Sequence, residues 1–199
     1  MANNTNDFIY VTTPIATLNY PHLVKQDTKY DPKWCVTLQF DPKNNPEHKK
    51  FLAELKKLNE DSAKELLDTI TKGKSAYRTK DIIKTDEDSE GNPTGTYSVK
   101  VSTKHKPQLY DSKGAVIPDE VGAGIWGGSK GRVAMALKKS IAANQKTVGL
   151  ALYFNKVQVT EIVRGTGGST DSENPSGFST IEGGFTVDTA GTQVDGGDY

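Results

Sequence analysis

Lysines recur at alternate positions in one short stretch of the chain, where Lys100, Lys104 and Lys106 share parity with Ser102. On a β-strand, alternate side chains lie on one face about 6–7 Å apart, a spacing that suits contact with successive phosphates of an extended single strand. The same row could instead keep a sheet face soluble or protect a strand edge from pairing. The spacing alone leaves both interpretations open.

Two further segments combine basic side chains with aromatic rings, and their members are Tyr77, Arg78, Lys80, Trp126, Lys130 and Arg132. A protein that binds single strands needs a positive groove for the phosphates and rings on which bases can stack. Trp126 is a candidate for stacking, because it lies between glycines and no strand alternation buries it. Trp34 alternates with apolar residues, and we expect it to pack in the core. Three separate basic segments favour a nucleic-acid surface over a purely solubilising one.

Other chemistries find less support in the residue pattern. The three histidines are scattered without metal-ligand spacing, Cys35 is the only cysteine, and the acidic segment 86–91 is expected to be a solvated turn. His48 falls on the charged face of a predicted helix, where we expect it to be solvated. The glycine-rich segment 122–131 lacks the order of a phosphate-binding loop and precedes a strand, so a turn is expected there. We expect no metal, no cofactor and no enzymatic activity.

The charge of the chain is unevenly distributed, although its formal net charge is zero. All 25 basic residues fall within residues 1–164, which hold 19 of the 25 acidic residues and therefore carry a net charge of +6. Residues 165–199 hold the other six acidic residues and no basic ones, in a context rich in glycine, serine and threonine. We expect a mildly basic folded domain at 1–164 and a disordered acidic tail at 165–199.

The predicted location follows from three features of the sequence. The start of the chain has neither the basic nor the apolar region of a signal peptide, and no apolar run is long enough to span a bilayer. A single cysteine cannot form an intrachain disulfide, which is typical of a reducing compartment. The sequence therefore predicts a soluble cytosolic protein.

The elements that would position these residues are short strands and one helix. Period-two alternation predicts strands at 33–40 and 96–106. β-Branched and aromatic residues predict a strand at 8–20, interrupted or bulged at Pro14, and another strand is expected at 132–140, after the glycine-rich segment. Residues 147–163 predict one long strand, or a pair meeting near Asn155. Leucines at helical spacing after Asn45 and Pro46 predict a helix over about 46–71, with a possible break near Asn59. This content predicts a mainly β fold, a small barrel capped by the helix.

Three segments resemble, in order and spacing, the OB-fold single-stranded DNA-binding proteins of tailed bacteriophages. They are "KWCVTLQFDPKNNPEHKKFLAELKKL", "YSVKVSTKHK" and "DSKGAVIPDEVGAGIWGGSKGRV", and an acidic tail with a final aromatic residue follows them. The resemblance covers most of residues 30–164. It implies a five-stranded OB barrel with a packed helix, no enzymatic activity and a tail that contacts replication proteins.

The resemblance also implies residue roles. The residues that match the family's DNA-contacting positions are Lys100, Lys130, Arg132 and Arg78. Where relatives place an aromatic residue on the lysine-bearing strand, this chain has Ser102, so base stacking would pass to Tyr77 or Trp126. The tail is also less acidic than is usual in this family.

The resulting hypothesis is a monomeric or dimeric protein that coats single-stranded DNA with little sequence preference during phage DNA replication and recombination, in the cytoplasm of the infected bacterial host. The tail would compete with DNA for the groove and recruit a polymerase or helicase through Asp195, Asp198 and Tyr199, unless it is an inert end. One alternative is a non-enzymatic interaction or virion protein with solvated lysines. Another is a nuclease, although no convergent carboxylate cluster is evident in the sequence.

Overall fold

The structure is a computed structural model, and it describes residues 8–71 and 73–164. Its strands are β1 (Ile9–Thr12), β2 (Ala16–Asp27), β3 (Lys33–Phe40), β4 (Arg78–Thr79), β5 (Lys84–Glu87), β6 (Pro93–Thr103), β7 (Gln108–Tyr110), β8 (Ser129–Ala142) and β9 (Thr147–Glu161). Its α-helices are α1 (Pro46–Thr69) and the single turn α2 (Asp119–Gly122). The predicted mainly β fold with one substantial helix is confirmed, and the predicted tail at 165–199 lies outside the described residues.

Six strands close into a five-stranded barrel, because two of them act as one. β2 pairs with β3, β3 with β6, β9 with β8, and β8 with β2, and all four pairings are antiparallel. The ring closes through β7, which follows β6 after a short turn and pairs in parallel with β9. β6 and β7 therefore act as one interrupted strand, and the result is the five-stranded OB arrangement that the sequence predicts. β4 adds to the edge of β9, and β5 adds to the edge of β6.

Alternation along β3 supplies one wall of the core. Val36, Leu38 and Phe40 are completely buried, as period-two alternation requires of a strand with one face against a core. Trp34 packs against the same core, and its indole Nε1 donates a hydrogen bond of 3.2 Å to the carbonyl oxygen of Val24. The expectation that Trp34 is a core residue is confirmed.

The first strand is interrupted at Pro14, as predicted, yet both halves stay on β8. Ile9–Thr12 pairs with one part of β8 and Ala16–Leu18 with another. Between them, the backbone N–H of Thr13 donates to the Val133 carbonyl, and the Val133 N–H donates to Thr13 Oγ1, each at 3.0 Å. At the interruption, the Thr13 hydroxyl thus accepts the hydrogen bond that a backbone carbonyl would accept in a regular β-ladder. The last strand is continuous, with a bulge near Asn155.

Helix α1 begins as predicted, with Asn45 Oδ1 accepting a hydrogen bond of 2.9 Å from the Glu47 N–H. It does not break at Asn59, so that expectation is wrong. Asn59 is buried, its Nδ2 donates to the Lys80 carbonyl at 2.8 Å, and its Oδ1 accepts from the Leu150 N–H at 2.8 Å. One side chain thus joins the helix to β9 and to the segment after β4. No helix among the described residues is both long and apolar enough to cross a bilayer.

His48 is buried rather than solvated, which corrects the expectation from the helix pattern. Its Nδ1 accepts a hydrogen bond of 2.9 Å from the Asp41 N–H, and its Nε2 lies 2.7 Å from the Ile15 carbonyl oxygen. Because an N–H can only donate and a carbonyl can only accept, the ring is the neutral tautomer protonated at Nε2. The ring also meets Phe40 edge-on, with centroids 5.3 Å apart.

The acidic segment 86–91 forms a turn, but its first residue is not simply solvated. Asp86, at the end of β5, is partly buried and accepts hydrogen bonds from Gln39 Nε2 at 2.9 Å and Thr96 Oγ1 at 2.8 Å. Ser98 Oγ donates to its other oxygen. Asp86 therefore ties β3, β5 and β6 together on the outer face of the barrel.

Candidate nucleic-acid interface

A groove of about 600 Å³ lies on the outer surface of the barrel, with β3, β5 and β6 on one side and β9 on the other. Four lysines line it, and we call it the lysine groove: Lys33, Lys80, Lys84 and Lys100. The remaining lining residues are Thr37, Asp81, Ile82, Ser98, Ser102, Ala151, Leu152 and Tyr153. The groove thus combines ammonium groups, hydroxyl groups and one aromatic ring, with a single carboxylate.

Strand alternation explains why these side chains converge. Val99 and Val101 are completely buried, so Lys100 between them points out of the barrel. Lys100 lies directly across from Thr37 on β3. Ser98, two residues earlier on the same face, lies across from Lys84 on β5. The paired strands therefore bring lysines from separate parts of the chain onto one surface.

Lys80 reaches the groove because its backbone is fixed from two sides. Its N–H donates to the Val148 carbonyl at 2.7 Å, and its own carbonyl accepts from Asn59. The side chain is half-buried, and burial lowers the pKa of the Lys80 ammonium group below its ordinary value. A phosphate beside this ammonium group would favour the charged form that burial disfavours.

The four groove lysines differ from several other lysines in their partners. Within the described residues, none of the four lies within ion-pairing distance of a carboxylate, whereas Lys104 Nζ lies 3.1 Å from Asp31 and Lys130 Nζ lies 2.8 Å from Glu161. Lys106 pairs with Asp119. Unpaired ammonium groups can bind phosphates without first releasing a protein carboxylate.

The lysine row predicted along one strand is shorter than the sequence pattern suggests. β6 ends at Thr103, and Lys104 and Lys106 lie in the turn that leads to β7. The expectation that they continue the row of Lys100 and Ser102 on the strand is wrong. Only Lys100, Ser102 and Lys80 of the predicted site residues line the lysine groove itself.

Arg78 and Tyr77 take different roles although they are adjacent. Arg78 is exposed on β4, two residues before Lys80, and pairs across from Thr147 of β9. Tyr77 is half-buried and packs against the small apolar cluster beneath helix α1. The ammonium group of Lys146 lies 5.2 Å from the centre of the Tyr77 ring, a cation–π distance. The ring thus already has protein partners on its surface.

Lys130 lies on the same outer surface as the lysine groove, at its far side. Five residues pair in sequence across the sheet, from β8 through β2, β3 and β6 to β5. In that order they are Lys130, Thr17, Gln39, Ser98 and Lys84. Four strand spacings separate Lys130 from Lys84, about 19 Å along the sheet surface. This surface is a continuous polar strip across five strands.

Arg132 is exposed on β8, one outward position along from Lys130. Its Nε donates a hydrogen bond of 2.7 Å to Gln158 Oε1 across the β8–β9 pair. This bond holds the guanidinium group close to β9, on the opposite side of β8 from the strip that leads to the lysine groove.

Trp126 borders a second cleft of about 600 Å³, with Asn19, Tyr20, Pro21, His22, Ala123, Ile125 and Gly127. Its side chain is 54% exposed, and its backbone N–H donates to the Val163 carbonyl at 3.0 Å. The glycine turn after it is as expected, with Gly128 at φ +93°, and a strand follows. The Trp126 ring is therefore carried by a hydrogen-bonded backbone.

The Trp126 cleft and the lysine groove are joined by one row of residues across the sheet. Asn19 lies across from Thr37, and Thr37 lies across from Lys100. Asn19 borders the cleft, while the other two line the groove. Tyr20, next to Asn19, is 80% exposed and has φ +49°, a left-handed conformation that bulky residues rarely adopt.

Sequence reasoning missed several residues of this surface, chiefly Lys33, Lys84, Tyr20, His22 and Tyr153. Alternation could have found one of them: Leu152 and Phe154 are buried, so Tyr153 between them must point outward. The others required knowledge of which strands are neighbours. The predicted tail residues Asp195, Asp198 and Tyr199 lie outside the described residues. Within the described ranges, no cluster of three His, Cys, Asp or Glu residues could hold a metal ion.

Comparison with known proteins gives matches in three dimensions. No protein-family model matches the sequence, and no curated protein sequence matches it. The gp2.5 single-stranded DNA-binding protein encoded by bacteriophage T7 is 19% identical, with a TM-score of 0.61 over 92% of this chain and 100% of that chain. The single-stranded DNA-binding protein from bacteriophage Enc34, in complex with single-stranded DNA, is 17% identical, with a TM-score of 0.59 over 79% and 89%. The chain therefore has the fold of the phage single-stranded DNA-binding proteins.

Proposed function

We propose that the protein binds single-stranded DNA along the lysine groove and the polar strip beside it. The observation that carries this proposal is the convergence of four lysines on one outer face of an OB barrel, none of them paired with a carboxylate of residues 8–71 or 73–164. The same fold in the Enc34 protein is found in complex with single-stranded DNA. A positive groove beside exposed rings is the arrangement that sequence-tolerant binding of single strands requires.

The groove residues contribute to binding according to the chemical groups they carry. Lys33, Lys80, Lys84 and Lys100 bind phosphates, which carry no base identity, so binding has little sequence preference. Hydroxyl groups such as that of Ser102 donate further hydrogen bonds to phosphate oxygens. Arg78 extends the positive surface from Lys80. Lys130, once it leaves Glu161, adds a charge at the far end of the polar strip, and Arg132 extends the surface beyond it.

Base stacking is assigned to exposed rings at the borders of this surface. Trp126 is the stronger of the two rings expected from the sequence, because Tyr77 is half-buried beneath Lys146. Complete stacking of one base is worth about 1–3 kcal/mol.

Lys104 and Lys106 contribute at longer range, because each would first have to leave the carboxylate with which it pairs.

The proposed organisation has a DNA-binding domain at 1–164 and an acidic tail at 165–199. The tail has six carboxylates and no basic residue, whereas residues 1–164 carry a net charge of +6. Such a tail can compete with DNA for the positive groove, and Asp195, Asp198 and Tyr199 can recruit a polymerase or helicase once DNA displaces it. The setting is phage DNA replication and recombination in the cytoplasm of the bacterial host, without enzymatic activity.

A salt series tests the tail. Removal of residues 165–199 should tighten DNA binding, and most strongly at low salt, where electrostatic competition is least screened. Equal affinity of both forms at every salt concentration would reject the competition, leaving partner recruitment to be tested by binding to a host or phage polymerase.

Titration of the full chain with oligo-dT across a salt series tests DNA binding itself. If about four phosphates are neutralised, the slope of log K against log salt should be near −3, since each contributes about −0.7 for single strands. Lys100→Glu together with Lys84→Glu should abolish binding. Lys57→Glu, an exposed position on α1 outside the groove, is the matched control. No binding at low salt, or equal binding of duplex DNA, would show the proposal to be wrong.

A further inference from the structure

Three aromatic rings form an exposed contact row at the end of the lysine groove. Phe8 and Tyr10 flank the start of β1, and Tyr153 lies on β9. The ring centroid of Phe8 lies 6.4 Å from that of Tyr153 and 6.3 Å from that of Tyr10. Their side chains are 43%, 39% and 73% exposed, in the order Phe8, Tyr153 and Tyr10. We call these residues the ring platform.

Strand pairing explains why the three rings lie together. Ala136 on β8 pairs with Tyr10 on one side and with Tyr153 on the other. The two tyrosines therefore flank a small residue on the outer face, about 10 Å apart at the backbone, and Phe8 contacts both rings. Ala136 between them is only 4% exposed. Three paired strands thus hold the platform in place.

The platform is continuous with the lysine groove. Tyr153 itself lines the groove, and its neighbour on the same face is the small residue Ala151, which also lines it. Across from Ala151 lies Lys138, whose Nζ is 5.4 Å from the centre of the Phe8 ring. A strand that leaves the groove at Tyr153 therefore meets further rings with an ammonium group beside them.

We propose that the ring platform extends the DNA-binding site, so that bases leaving the lysine groove stack on Tyr153, Phe8 and Tyr10 in turn. This inference rests on the proposed function. It adds the direction in which the DNA strand leaves the lysine groove and lengthens the DNA-binding site. Exposed rings accept any base, because every base has a flat π-face, and so the extension keeps sequence preference low. β1 thereby gains a role in binding, although it belongs to none of the five long barrel strands.

The extension predicts an effect that depends on the length of the oligonucleotide. An oligo-dT of about six nucleotides can be held within the groove, whereas one of about 16 nucleotides also reaches the platform, within the range of site sizes for OB folds. Tyr10→Leu and Phe8→Leu keep an apolar side chain and remove the stacking surface. Each should weaken binding of the longer oligonucleotide about fivefold or more and leave the shorter one unchanged.

Three controls make the outcomes distinct. Tyr10→Phe retains the ring and should bind both lengths as the wild type does, and the melting temperature of each variant checks its folding. Lys100→Glu should weaken both lengths; if it weakens neither, the proposed function itself fails. If Lys100→Glu weakens both but Tyr10→Leu weakens neither, only the platform is rejected. A further contrary result is a change in the sedimentation coefficient of Tyr10→Leu without a change in its affinity for the longer oligonucleotide. That result also overturns the inference, and it assigns the rings to a contact between two copies of the protein.

Discussion

Lys100 on β6 lies directly across from Thr37 on β3, with its side chain on the outer face of the barrel. Thr37 in turn lies across from Asn19 on β2. This row connects the lysine groove with the Trp126 cleft and places Lys100 near the middle of the surface. The position of Lys100, rather than its charge alone, is what distinguishes it from lysines beyond the end of the strand.

The first prediction contrasts Lys100 with Lys104. Lys100→Ala should weaken binding of oligo-dT about tenfold at low salt, because it removes an ammonium group at the centre of the groove that has no carboxylate partner in the described part of the chain. It should also make the salt slope less steep by about 0.7. Lys104→Ala should have an effect below about threefold, since Lys104 already pairs with Asp31. Fluorescence anisotropy across a salt series measures both, and equal losses in the two variants would contradict the assignment.

The second prediction separates stability from binding at Lys80. Burial lowers the pKa of Lys80 from its ordinary value of 10.5, so the fold disfavours the charged form. Lys80→Met keeps the chain length and removes that cost, so its free energy of unfolding at pH 7 should equal or exceed that of the wild type. Its affinity for oligo-dT should fall several-fold, since a phosphate contact is lost.

The sign of the pH dependence at Lys80 follows from the same shift. Between the lowered folded-state pKa and 10.5, the unfolded chain holds more protons at this residue than the folded chain does. The free energy of unfolding of the wild type should therefore rise with pH in that window, relative to Lys80→Met. Urea unfolding of both proteins at several pH values measures this difference, and a fall instead of a rise would refute it.

The third prediction concerns Asn59, whose amide bonds both to the Lys80 carbonyl and to the Leu150 N–H. Asn59→Ala leaves a buried backbone N–H and a partly buried carbonyl without their partners and should destabilise the fold by about 2–4 kcal/mol. DNA binding should also weaken, because the segment carrying Lys80 loses an anchor. Lys57→Ala, on the exposed side of the same helix, should change the free energy of unfolding by less than about 0.5 kcal/mol. Chemical denaturation measures both variants.

The fourth prediction uses Cys35, which lies on β3 across from Ser102 of the lysine groove. Burial raises the pKa of its thiol above the ordinary value of 9.0. Because the thiolate is the reactive form, alkylation of the folded protein should accelerate only at pH values above 9.0, whereas the unfolded protein should respond near 9.0. Bound oligo-dT should slow alkylation further. Mass spectrometry of iodoacetamide-treated protein measures the rates, and no protection by DNA would argue against binding at this face.

Local sequence pattern predicted the elements well, since alternation and helical spacing depend on residues close together in the chain. β3, β6 and α1 follow directly from it, as does the interruption at Pro14. It failed where a strand ends: the parity of Lys104 and Lys106 continues that of Lys100, but the chain turns after Thr103. The periodicity of the residues shows which side chains share a face of a strand, but it does not show where that strand ends.

The candidate site depended more on contacts between distant segments. Lys80 joins the groove through backbone bonds to β9 and through Asn59, which no local pattern reveals. His48 was assigned to solvent because its helix position is polar, yet its two partners come from Ile15 and Asp41. Tyr153 is a different case, because the buried residues on either side of it already predict an outward ring.

The close approach of α1 to β9 has an evolutionary consequence. Gly149 has φ +148°, and a Cβ added there would lie 2.5 Å from Asn59 Oδ1. A side chain at 149 would therefore displace the Asn59 amide from its hydrogen bond with the Leu150 N–H, and the positive φ at 149 disfavours any residue other than glycine. Among homologous chains, we expect glycine at 149 wherever asparagine is kept at 59.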